Sequence, residues 1–335
     1  MKNYFRRTLP VLFVLFSMTL VIVSCGASSS KPSTKVDQVL SFDADSAYQY
    51  IADQTNFGPR IPDSKGHDAC RDYIVSSMKK FGASVSTQAC TPTMWDGSKI
   101  HATNIIANYL PEKTNRILLC AHWDTRPWAD QDKNPANHHK PIDGANDGAS
   151  GVGVLMEIAR QIQLELSRNN QPSYGVDLVF FDAEDLGTPS FMEATVEGDF
   201  WCLGTQYWAK NARANGYKAN FGILLDMVGG KAPSFMWDTY SKQYAPKVLE
   251  NVWNIAAKLG YSNFFIPADG GSITDDHVAV NQIAGIPCID IIDFNPASQT
   301  GFPSTWHTLD DNMQHIDKNT LKAVGETIMH VLFTN

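Results

Sequence analysis

The chain has no cluster of basic residues, and no two of its cysteines stand at a zinc-knuckle spacing. With 27 Lys and Arg against 35 Asp and Glu, its formal net charge is −8. Neither that balance nor its distribution offers a phosphate backbone anything to hold, so nucleic acid is excluded as a partner. The longest apolar run, at residues 9–23, falls short of the roughly 20 residues that a membrane-spanning helix needs. Without paired thiols, any metal must be held by His, Asp and Glu. No internal repeat is present, and the only low-complexity tract is a short Ser-rich tether.

What is present at the start reads as an export signal. Lys2, Arg6 and Arg7 precede the apolar run, which ends at Ile22-Val-Ser-Cys25, followed by Gly26-Ala-Ser-Ser-Ser30. Small residues before a cysteine resemble a bacterial lipoprotein signal, which implies cleavage before Cys25 and lipid on its sulfur. Residues 1–24 are expected as signal peptide, 25–42 as lipidated cysteine and flexible tether, and 43–335 as a single large domain. Such a protein is exported and faces the periplasm from the bacterial cell envelope, touching the membrane through its lipid anchor alone. Of the other cysteines, Cys120 and Cys288 lie in apolar strand-like runs, Cys202 has no evident partner, and Cys70 with Cys90 is a weak disulfide expectation.

The stretch that organises the rest is Leu178-Val-Phe-Phe-Asp-Ala-Glu-Asp185. An apolar, β-favouring run ends in three carboxylates, as a buried strand of an α/β sheet does when its charges emerge at the carboxyl edge. Adjacent acids there repel unless their labour is divided: a metal can take one as ligand and leave its neighbour free as a base. A solvated acidic loop is the other reading of this segment alone.

Periodicity and caps fill in the frame. Asp43 opens a helix to about residue 53, and Ser64 caps a second that runs to Phe81 and stops at Gly82. Strands are expected at residues 100–110 and 116–121, around a turn at 111–115. A long, polar, breaker-rich loop at 127–149 ends in Gly144-Ala-Asn-Asp-Gly-Ala-Ser-Gly151, where Asp147 sits at the mouth of a helix reaching Leu166. Strand 176–185 follows, then helices at 204–214 and 244–259, strands at 221–226 and 286–292, and a closing helix from Asp317 to Leu332. The expected fold is α/β: one globular domain with an open, twisted, mixed but mainly parallel central sheet flanked by helices.

Polar groups recur just past the apolar strands. His122 and Asp124, Glu184 and Asp185, and Asp226 do so, with His307 in a loop after the last strand and Asp147 at a helix mouth. One such residue means little; six converging on one edge of a parallel sheet would form a metal site. Mixed nitrogen and oxygen donors in an exported protein fit zinc best, since calcium prefers more oxygens and no imidazole.

The order His122-x-Asp124, Asn146-Asp147-Gly148, Glu184-Asp185, Asp226 and His307 resembles the zinc aminopeptidase superfamily, from about residue 45 to the end. Phe180-Phe-Asp-Ala-Glu-Asp185, Thr274-Asp-Asp-His277 and Trp306-His-Thr-Leu-Asp-Asp-Asn312 resemble more narrowly the animal-type glutaminyl-peptide cyclotransferases, which also occur as exported bacterial forms. The resemblance implies a zinc-aminopeptidase-like fold and one zinc per chain on Asp147, Asp185 and His307. It further implies Glu184 as general base and acid, Asp226 and Asp275 as a hydrogen-bonded carboxylate pair, and Trp306, Phe302 and Trp201 around the substrate. Two positions depart from the animal pattern: Asp185 stands where those enzymes carry Glu, and Thr274 where they carry Gln.

The implied activity is cyclisation of N-terminal glutamine in peptides or proteins to pyroglutamate, with release of ammonia. Two other readings share these residues. In a two-zinc aminopeptidase, His122 and Asp226 would hold a second ion bridged by Asp147; in a catalytically silent peptide-binding lipoprotein, the site would only hold its ligand. Two residues tilt the choice towards the cyclase: Asp275, where peptidases usually carry serine, and Trp306, where they favour tyrosine.

Overall fold

The computed structural model describes residues 40–192 and 197–334. The leader, Cys25 and the tether up to residue 39 lie outside the described residues. From Leu40 on the chain forms one compact unit. Packing starts slightly earlier than the sequence suggested, because Leu40 and Phe42 are already buried in the main core.

Six strands form the central sheet, side by side in the order β1 (Ser84–Cys90), β2 (Ala102–Tyr109), β4 (Gly175–Phe181), β3 (Arg116–His122), β5 (Phe221–Asp226) and β8 (Cys288–Ile292). The β1–β2 and β2–β4 pairs are antiparallel, while β4, β3, β5 and β8 run parallel to one another. Two further strands, β6 (Phe235–Asp238) and β7 (Phe265–Gly271), pair separately. The helices are α1 (Ala44–Thr55), α2 (Lys65–Lys80), α3 (Ala149–Ser167), α4 (Leu203–Ala214), α5 (Thr239–Tyr244), α6 (Pro246–Lys258), the short α7 (Asp276–Ala279) and α8 (Lys318–Thr334).

Every residue of β4 is buried, because helices cover both faces of the sheet. Alternation along β3 divides its side chains: Ile117, Leu119 and Ala121 join the large core with α1, α3 and α8, whereas Leu118 and Cys120 join Trp208 and Ala209 of α4 on the other face. Gly151 lets α3 approach β5, since a Cβ there would lie 2.1 Å from the Leu225 carbonyl oxygen. The parallel register decides where function can sit. His122 pairs with Phe181, Cys120 with Leu224 and Asp226 with Ile292, so the carboxyl ends of four strands form one rim.

Several expectations change. The strands at 102–109 and 116–122 do not form a hairpin, because β4 lies between them. The helix expected at 244–259 is broken: Ala245 leaves the helical region at φ −137°, ψ 46° and Pro246 starts α6, as the steric clash of proline with a helical predecessor favours. Cys70 and Cys90 form no disulfide; both are free and buried, as are Cys120, Cys202 and Cys288. Strand β1 escaped notice because its sequence, Ser-Val-Ser-Thr-Gln-Ala-Cys, is polar and half exposed at the sheet edge.

Candidate metal centre and substrate pocket

Each ligand-bearing turn at the rim is held by a carboxylate from elsewhere in the chain. Asp124, fully buried, accepts the backbone N–H groups of Glu184 at 3.0 Å and Asp185 at 3.1 Å. Asp311 does the same for Asn146 at 2.7 Å and Asp147 at 3.0 Å. Gly148, at φ +95°, follows Asp147 in a conformation that disfavours any side chain, and a Cβ there would lie 2.3 Å from the Asp124 carbonyl oxygen. Arg126 binds both oxygens of Asp130, at 2.9 and 2.7 Å, and donates to the carbonyls of Asp185 and Gly187. Asp130 in turn lies 3.4 Å from His307 Nδ1, the partner that would orient a metal-bound imidazole.

These constraints gather two groups of donor atoms that share Asp147. Asp147, Asp185 and His307 each present one ligand atom within 4.8 Å of the others, and so do His122, Asp147 and Asp226. His307 Nε2 is 3.1 Å from Asp185 Oδ1 and 3.5 Å from Asp147 Oδ2. His122 Nε2 is 3.0 Å from Asp147 Oδ1 and 3.1 Å from Asp226 Oδ1. Both Asp185 oxygens are buried without a well-formed hydrogen bond, which is costly unless a cation completes them. One imidazole and two carboxylates suit zinc.

The electrostatics separate the acids. Burial pushes the Glu184 carboxyl well above its ordinary value, against the pull of His122 and with the repulsion of Asp275 and Asp185. Asp226 rises to about 7, again through burial, with the His122 hydrogen bond opposing. Burial also raises Asp275. For His122, burial favours the neutral ring, but its contacts with Asp124, Asp147 and Asp226 outweigh that and hold it well above the usual histidine value.

A pocket of about 380 Å³ opens over these groups, lined by Asp147, Glu184, Asp185, Asp226, Asp275 and His307 together with Trp201, Thr274, Phe302 and Trp306. The Trp306 ring stacks on His307 at 3.8 Å between centroids, Phe302 tilts against Trp306 at 4.4 Å, and Trp201 lies nearly parallel to His307. A Glu184 oxygen, Cys202 Sγ and an Asp275 oxygen lie within 4.8 Å of one another.

The model of peptidase family M28 matches residues 104–332, which spans every donor just described. The chain belongs to peptidase family M28. Among solved M28-like structures, it is 52% identical to a glutaminyl cyclase of Bacteroides thetaiotaomicron bound to N-acetylhistamine, with a TM-score of 0.84 over 89% of this chain and 99% of that one. It is 51% identical to a structure from Parabacteroides distasonis described as a Zn-dependent exopeptidase, with a TM-score of 0.85 over 89% and 100% of the two chains. A glutaminyl-peptide cyclotransferase of Drosophila melanogaster is 24% identical over 280 residues, 78% of this chain and 73% of that protein.

Within this M28 chain, Asp147, Glu184, Asp185, Asp226, Asp275, Trp201, Phe302 and Trp306, all expected at the site from sequence, line the pocket, and His307 does too. His122 lies beneath them, and Asp124 holds the acidic turn rather than joining either donor group. Asp130, Asp311 and Arg126 were missed. A signal existed in each case: Arg126 and Asp130 stand four apart where the long loop begins, and Asp311 lies within the Trp306–Asn312 motif.

Proposed function

We propose that this protein is a glutaminyl-peptide cyclotransferase, converting N-terminal glutamine of peptides or proteins to pyroglutamate and ammonia. The observation that carries this reading is Asp275, a third buried carboxylate that lines the pocket within reach of Glu184. Asp147, Asp185 and His307 would hold one zinc, which when bound polarises a carbonyl oxygen as a Lewis acid. Glu184 takes a proton from the substrate α-amine as that nitrogen bonds to the side-chain amide carbon (Cδ) of the same residue. The bond from Cδ to the amide nitrogen breaks, and Glu184 gives its proton to the departing ammonia. Asp226 and Asp275 keep a proton between them and hydrogen-bond the reacting groups. Trp306, Phe302 and Trp201 fix the side-chain rotamer that brings amine and amide together, which supplies most of the advantage of an intramolecular reaction.

A second reading, a two-zinc aminopeptidase, draws support from the His122–Asp147–Asp226 group. Against it stand Asp275 and Trp306, the two residues that favour the cyclase from sequence, both lining the pocket. Incubating the zinc-loaded protein with a Gln-initiated peptide decides the matter. Mass spectrometry is expected to find the loss of one ammonia and no shortened peptide. Release of a free amino acid instead would establish the peptidase.

We further propose, from the leader sequence, that the protein sits in the cell envelope, held by lipid on Cys25. Full-length protein is expected in the membrane fraction with an acylated N-terminal peptide, and Cys25→Ala is expected to abolish both. Recovery of the unmodified wild type in the soluble periplasm would rule the anchor out.

A further inference from the structure

We propose that Cys202 is a positioning residue for the reaction, holding the Glu184 carboxylate through a thiol hydrogen bond while its backbone holds the same residue's carbonyl. This rests on Glu184 as the proton carrier. Cys202 Sγ lies 3.3 Å from Glu184 Oε1, and no other side chain among the described residues hydrogen-bonds that carboxylate. The Cys202 N–H donates to the Glu184 carbonyl at 3.0 Å, so one residue grips both ends of the other.

The grip is built into the fold. The next two amides continue it, Leu203 to the Ala183 carbonyl at 2.9 Å and Gly204 to that of Asp182 at 3.1 Å. The start of α4 is thereby laid residue by residue along the acidic turn. Gly204 permits the approach, since a Cβ there would come 2.0 Å from the Asp182 carbonyl oxygen. Ala183 and Cys202 both adopt left-handed backbone, at φ 56° and 54°. Side chains take that conformation only where surrounding bonds impose it. Both residues of the contact are therefore placed by the backbone before any side-chain bond forms.

The chemistry suits the task. Cys202 is only 4% exposed and does not line the pocket, so it meets Glu184 from behind while the carboxylate faces the substrate. Burial first, then the Glu184 charge, pushes the thiol well above its ordinary value, so it remains S–H and can only donate. A thiol is a weak donor. It restrains the orientation of Oε1 and leaves the rest of the carboxylate free to accept and return a proton in each cycle.

The test has two arms. In the first, the infrared S–H stretch of Cys202 is isolated as the difference between wild type and Cys202→Ala, and is expected at the lowered frequency of a thiol bonded to a carboxylate. It should move back towards the free value in Glu184→Gln. A band already at the free value, or one indifferent to Glu184→Gln, would overturn the contact. This arm needs no turnover, so it stands even if the wild type fails to cyclise glutamine, an outcome that would sink the proposed function instead.

The second arm is kinetic. Cys202→Ala is expected to lower kcat about tenfold, the scale of one charge-assisted hydrogen bond, with KM and zinc content within about twofold of wild type. Cys202→Ser, which restores a donor, is expected to recover most of that loss. An unchanged kcat in Cys202→Ala, or Ser behaving no better than Ala, would leave Cys202 as packing alone and end the proposal.

Discussion

Glu184→Gln is expected to leave a folded protein that still holds zinc and still binds a Gln-initiated peptide, while kcat falls by about 10²–10⁴. That fall corresponds to roughly 3–5 kcal/mol of barrier. Glutamine matches the shape of glutamate and keeps an oxygen, so the pocket walls at Trp306, Phe302 and Trp201 are unaffected. What it cannot do is take a proton from the amine and hand it to ammonia. Burial, with Asp275 and Asp185 nearby, holds the Glu184 carboxyl well above its ordinary range. A proton taken up there is therefore retained long enough to be delivered, which an exposed carboxylate would not manage near neutrality. Ammonia release alongside a peptide-binding titration separates the two effects. If the variant kept turnover within about tenfold of wild type, the proton would have to travel by another group, such as Asp275, which lies within 4.8 Å of Glu184.

The second large effect concerns the ion. Wild-type protein is expected to contain one zinc, His307→Ala essentially none, and His122→Ala one. Losing a carboxylate that merely orients a metal-bound histidine lowers affinity about 10–100-fold, so removing the histidine itself should cost at least about 100-fold. His307 lines the pocket and His122 does not. His122 Nε2 is between Asp147 and Asp226 at 3.0 and 3.1 Å, and Asp124 Oδ1 lies 3.5 Å from Nδ1. The single ion is expected on the pocket-lining donors Asp147, Asp185 and His307, where a substrate carbonyl can reach it. Elemental analysis of the three proteins checks this. Two zinc ions in the wild type, one of them lost with His122, would favour a dinuclear centre and peptidase chemistry.

The frame could be read ahead of the structure wherever the signal was local. Ser64 and Asp43 cap the helices they were expected to cap, and the apolar runs at 176–181, 221–226 and 288–292 became buried parallel strands. Glu184, Asp185 and Asp226 were legible because they stood at the ends of such runs, and Asp147 because it stood at the mouth of a helix. What escaped depends on contacts between distant segments. Asp311 serves amides 165 and 164 positions away, and Asp124 serves others 60 and 61 away; no window of sequence joins them. Cys202 drew attention only as an unpaired thiol, since its role appears when α4 is laid against the turn before it. The strands β6 and β7 failed for another reason: Pro267, Gly270 and Gly271 lie within β7 and break the pattern a strand would show.

Asp124 and Asp311 anchor the two turns that carry Glu184, Asp185 and Asp147 by their amides. The scaffold of the site is thus built from the protein's own hydrogen bonds, and the chemistry is set by a few side chains standing on it. A swap such as aspartate for glutamate at one ligand, or an extra acid at the position of Asp275, can redirect the outcome without rebuilding the scaffold. Near-identical architectures bearing the names of a cyclase and an exopeptidase are what such a separation of form from reactivity would produce.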